Sequence, residues 1–154
     1  MKQLELVTAL LENQNTLALA TSHADGSPRL APLFYLPGED LRLYWFSSPS
    51  SEHARNLQRD RSAAVSIFRP TGQWKQICGV QMRGIVTVVT DRARRKAISQ
   101  AYTDRFQLGA LFHTALSRSR LYEFQPSWLR YIDNSGRFGD KFELSLVSPM
   151  KEEP

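Results

Sequence analysis

NTLALATSHADGSPRLAPLFYLPGEDLRLYWF, residues 15–46, holds three short apolar runs separated by two turn signals. The first run, residues 15–22, alternates leucine with smaller residues, the period of a strand with one buried face. ADGS (24–27) interrupts it, and Asp-Gly tolerates the positive φ that a hairpin turn needs. Residues 29–36 read as a second strand. Pro32 inside it has no N–H to donate to a ladder, so this strand is expected at a sheet edge or at a bulge. PGED (37–40) turns the chain again, and residues 41–46 make a third strand. Turns this short leave no room for a crossover helix, so the strands must run antiparallel.

The same signals continue downstream. SAAVSIF (62–68) reads as a fourth strand and QICGVQMRGIVTVVT (76–90) as a long fifth one. Gly79 and Gly84 within the fifth predict bulges or close backbone approach. RLYEFQP (120–126) and SWLRYID (127–133) read as two strands or one bent strand, and KFELSL (141–146) as the last, after the turn NSGRFGD. Helices are fewer. Leu4, Val7, Leu10 and Leu11 give residues 3–13 the helical period, and further helices are expected near 52–58, 92–102 and 108–117. Strands do not alternate regularly with helices, which argues against a doubly wound sheet. The expected fold class is mainly β: a single-domain antiparallel barrel with a few helices.

The net charge of +5 permits a nucleic acid, but equally a small phosphorylated ligand. Much of the excess lies in Arg92, Arg94, Arg95 and Lys96, which read as the solvated face of a helix. No helix-turn-helix, zinc finger or RNA-binding signature accompanies it, so neither nucleic acid nor membrane is expected as a partner. The single cysteine, Cys78, cannot form an internal disulfide, which fits the reducing cytoplasm. His23, His53 and His113 lack metal-ligand spacing, and no catalytic triad or carboxylate pair is evident.

FSSPSSEHARNL (46–57) places four serines ahead of a short helix. Serines there can simply cap the helix. They can also join its free N–H groups and positive end in holding a phosphate, with His53 or Arg55 adding charge. Glu52 in that first turn would repel an anion unless it faced outward.

In their order, Ala20-Thr21, Gly26-Ser27-Pro28, Ala31 to Phe34, Ser47 to His53 and Asn56-Leu57 resemble the FMN-binding split-barrel family typified by pyridoxamine 5′-phosphate oxidase. The resemblance spans about residues 15–90. A second block, YIDNSGRFGDKFEL (131–144), with Gly79 to Gly84, is similar to a small bacterial subfamily of uncharacterised split-barrel proteins. The resemblance implies a split barrel whose flavin lies in a homodimer cleft. The backbone of Ala31, Pro32, Leu33 and Phe34 would pass along the isoalloxazine ring. Phe46, Ser47, Ser48, Ser51 and His53 would hold flavin and phosphate, and Gln81 would reach the ring. Trp45, Trp74, Trp128 and Phe138 are candidates to line the cleft, with core packing as the alternative and the stronger reading for Trp45.

Two departures from the family stand out. Its phosphate-binding arginine falls at Ala31, and its Arg-Lys pair falls at Glu52-His53. Arg29 and Arg55 are the cations nearest in sequence. The oxidase's substrate signature near the C-terminus is not evident, so pyridoxamine-phosphate oxidation itself is not expected. The resemblance therefore implies an FMN-dependent oxidoreductase of an unidentified small molecule. The alternative is a non-catalytic binder of flavin, haem, pyridoxal phosphate or a deazaflavin on the same fold.

Overall fold

The computed structural model describes residues 2–146. The N-terminal period produces α1 (Lys2–Asn13), which buries Val7, Leu10 and Leu11. The three opening runs become β1 (Thr16–Ser22), β2 (Pro28–Phe34), a two-residue β3 (Leu36–Pro37) and β4 (Leu43–Ser47). Then come α2 (Glu52–Arg59), β5 (Ser62–Phe68), β6 (Cys78–Val88), α3 (Arg92–Phe106), α4 (Ala110–Ser117), β7 (Arg120–Asp133) and β8 (Lys141–Ser145).

The strands form one sheet in the order β2-β1-β5-β6-β7-β4-β3, with β8 also on β7. Every pairing is antiparallel, and the sheet curls into a split barrel. Alternation decides what fills it. Leu17, Leu19, Val65, Ile67, Val80 and Met82 point inward, and Trp45, Tyr35, Phe124 and Leu129 complete the core. β2 ends the sheet, where its proline predicted.

The long β7 is one strand with a register shift opposite Arg83 and Gly84 of β6. The extra residue, Ser127, stands on β7 rather than on β6. A Cβ at Gly84 would sit 2.8 Å from Pro126 Cα and closer still to the Gln125 carbonyl oxygen. Glycine is what lets the two backbones approach at the kink.

α3 is not simply a solvated face. Arg94 pairs with Glu123, whose side chain is 11% exposed, and donates to the Tyr44 hydroxyl at 3.2 Å. Arg95 donates to the Leu116 and Ser119 carbonyls, and Arg105 to those of Glu12 and Gln14 at the end of α1. No helix among the described residues is long and apolar enough to cross a membrane.

Candidate functional site

β4 delivers Phe46 and Ser47, and the chain turns through Ser48 and Ser50 into α2. Ser51 caps that helix, its hydroxyl oxygen accepting from Ala54 N at 3.3 Å. The cap reading of the serine run is therefore correct for Ser51, and a cluster is built around it. His53 Nε2 lies 2.7 Å from Ser47 Oγ and 3.3 Å from Ser51 Oγ. Ser47 is buried, and Ser51 and His53 are half-buried. Ser48 and Ser50 are exposed, their hydroxyls 2.8 Å apart at the tip of the turn. Burial holds the His53 imidazole below its ordinary range, with the Glu52 carboxylate opposing.

α2 is fixed against the β1–β2 hairpin. The buried Asn56 donates to the buried Thr21 hydroxyl at 3.1 Å, and Arg59 donates to the Ser22 carbonyl at 3.0 Å. Leu57 enters the core. The Ala20-Thr21 and Asn56-Leu57 pairs thus serve as the clamp that holds the helix end beside β2.

Arg29 stands on β2 two residues before Ala31, on the same side of the strand. Its Nη1 donates to Ser27 Oγ at 2.6 Å, and Ser27 Oγ donates to Asp25 Oδ1 at 2.5 Å. Those bonds from Ser27, with His23 adding to them, hold the Asp25 carboxyl far below the usual carboxylate range. Arg29 Nε reaches Glu52 Oε1 at 3.3 Å, with side chains 38% and 50% exposed. A pair this exposed stabilises the fold by less than about 1 kcal/mol, so an anion can take the guanidinium over at little cost. Glu52 therefore turns toward Arg29 rather than simply outward to solvent.

The remaining sequence candidates fall in three places. Ala31, Pro32 and Leu33 lie on the edge strand, with Leu33 packed against the core. Phe34 and Phe46 join an aromatic cluster with α3: Phe34 meets Phe106 at 5.1 Å, and Phe46 meets Tyr102 edge-on at 5.1 Å. Gln81 lies on the outer face, in the row Pro32, Ala18, Ser66, Gln81. Three strand spacings place it about 14 Å from Pro32.

The tryptophans do not act together. Trp45 is fully buried in the barrel core and lines no cleft. Trp74 and Phe138 form an exposed edge-to-face pair at 5.3 Å, held by Asn134, which donates to the Trp74 carbonyl and accepts from Gly139 N. Trp128 lies on the outer face under Arg83 and Arg130. His23 is bound to Asp25, and His113 is exposed on α4.

That outer face is unusually apolar. Leu30 is 76% exposed, Phe34 57% and Phe68 59%, around the small residues Ala18, Ala20 and Ala64.

The sequence model of pyridoxamine 5′-phosphate oxidase matches residues 4–133. No curated protein matches the chain. Solved structures with the same fold include a haem-binding protein from Mycobacterium smegmatis, at 19% identity and TM-score 0.75, over 92% of this chain and 57% of that one. ChuZ from Campylobacter jejuni aligns at 14% identity and TM-score 0.80, over 94% and 60%. HutZ, a haem storage protein from Vibrio cholerae, aligns at 18% identity and TM-score 0.66, over 78% and 87%.

Proposed function

Because the chain belongs to the pyridoxamine 5′-phosphate oxidase family, we propose that it binds FMN at the start of α2 and serves as a flavin-dependent oxidoreductase of a small molecule. The observation that carries this reading is the convergence of Ser47, Ser51 and His53 at the start of α2, which the Arg29–Glu52 pair ties to β2, an edge strand among the described residues. The donor set fits a phosphomonoester. The first N–H groups of a helix have no intrahelical acceptor, and the helix end is positive. The Ser47 hydroxyl, the His53 imidazole and Arg29 complete the cradle once Ser51, whose hydroxyl donates to the Ser48 carbonyl at 2.8 Å, turns to the phosphate, and the imidazole and Arg29 stand in for the cations missing at Ala31 and Glu52-His53. The outer edge of β2 offers backbone groups to a planar heterocycle. Bound flavin would supply the redox chemistry, while the chain supplies binding and orientation.

A second copy of the chain would cover Leu30, Phe34 and Phe68 and close the cleft, since apolar area of this extent on one face marks an interface. We expect the wild-type protein to run as a dimer by light scattering. Leu30→Glu with Phe68→Glu should give monomer and weaken FMN binding. A dimer that survives both charges would place the interface elsewhere.

His53→Ala or Ser51→Ala should weaken FMN by about 1–3 kcal/mol through lost charge-assisted hydrogen bonds, read by quenching of flavin fluorescence. The pH dependence has a definite sign. Free His53 is held neutral, and an adjacent phosphate favours its charged form, so binding takes up a proton. Affinity should therefore rise as pH falls from about 8 toward 6.5, until the phosphate itself protonates near pH 6. His53→Gln should flatten that slope. An unchanged slope would assign the proton to another group.

Haem is the second reading, because the fold also carries haem-binding proteins. The described outer-face residues of β1, β2, β5 and β6 include no histidine, cysteine, methionine or tyrosine to ligate iron, since Cys78 and Met82 point into the core. A haem would therefore have to take its iron ligand from outside that face, where His53 stands at the start of α2.

A further inference from the structure

We infer that a second, separate cleft, between α2 and the ends of β6 and β7, binds a small carboxylate with an apolar body. The cleft has a volume of about 320 Å³, at the lower end for small-molecule sites. Ala54, Leu57 and Val86 give it apolar walls, and Arg61, Arg120 and Tyr122, with Gln58 and Thr87, its polar groups. Neither Ser51 nor His53 lines it, so it does not depend on the flavin reading.

Two independent features point to an anion there. Tyr122 is 3% exposed, and its hydroxyl is buried with no hydrogen-bond partner among the described residues. Its ring is held in place by stacking on Trp45, with centroids 6.1 Å apart at 18°. A buried hydroxyl without a partner destabilises the fold unless something supplies an acceptor. The two arginines are exposed, and among the described residues neither side chain makes an ion pair or hydrogen bond. The nearest acid in sequence, Asp60, instead accepts from Ser62 N at 2.9 Å. Two unneutralised guanidiniums lining one cleft with Tyr122 suit a carboxylate, because charge-assisted bonds to arginine are strong and directional. The aliphatic walls below them suit a ring or branched chain rather than a sugar.

Benzoate is the probe, titrated calorimetrically into the intact protein. We expect saturable binding, at least about fivefold weaker in Tyr122→Phe and at least about tenfold weaker in Arg61→Gln with Arg120→Gln. Toluene, the same ring without the carboxylate, should bind more weakly than benzoate. The arginines are exposed, and Tyr122→Phe removes an oxygen without a partner, so both variants should keep the wild-type melting temperature or exceed it. His53→Ala should leave benzoate affinity unchanged, which separates this cleft from the flavin cradle. Absence of benzoate binding, equal affinity in the arginine double variant, or toluene binding as tightly as benzoate would each overturn the inference.

Discussion

Gly84→Ala should lower the unfolding free energy by about 3 kcal/mol, the upper range for overpacking. β6 lies between β5 and β7, so its backbone is held on both sides. The added methyl would meet the Gln125 carbonyl and Pro126 Cα, which are main chain and cannot rotate away. Relief requires β7 to move, yet Phe124 and Leu129 on either side of the kink are fully buried. The strands would have to separate at the centre of the barrel. Urea denaturation measures this directly. The midpoint should fall with an unchanged slope, because the surface exposed on unfolding stays the same. A loss below about 1 kcal/mol would mean that the kink yields easily and does not fix the register.

Arg94→Leu should destabilise the fold by about 2 kcal/mol. Removing one member of a fully buried ion pair costs about 3–5 kcal/mol, because the partner keeps an uncompensated charge. The figure here is smaller because the Arg94 side chain is 48% exposed while that of Glu123 is 11% exposed. Tyr44 would remain, donating to Glu123 at 3.0 Å, but a phenol cannot neutralise a carboxylate. Burial and this contact already push the Tyr44 phenol above its ordinary range. Adding Glu123→Gln should restore most of the loss, and thermal melts of the four proteins in the cycle measure the coupling. Equal losses for Arg94→Leu in the presence and absence of Glu123 would show that the pair contributes nothing specific.

The barrel was legible because its cues are local. Pro32 on a terminal strand, Asp25-Gly26 at a hairpin and Gly84 at a close approach each act within a few residues. Leu17, Leu19 and Leu33 alternate as the period requires. Element ends shifted by up to four residues, as with α3, which continues to Phe106.

Contacts between distant residues were not legible. Arg94 reads as one of several helix-surface cations until the fold brings Glu123 beneath it. The available clue was Glu123 itself, an acid in the apolar run RLYEFQP. The buried bond from Asn56 to Thr21 spans 35 residues, and neither type demands burial by itself. Trp45 was legible: core packing is the stronger reading of a large aromatic in the apolar run LRLYWF, and its place on β4 turns it into the core. Only the three-dimensional arrangement shows Arg29 standing beside Glu52, a pairing between residues far apart in sequence that no local cue announces.

Titration of FMN into the purified protein, followed by flavin fluorescence, tests the central claim most directly. Saturable quenching in the micromolar range is expected, weakened by His53→Ala and by Arg29→Ala. A folded dimer that leaves FMN fluorescence unquenched at every concentration would contradict the account.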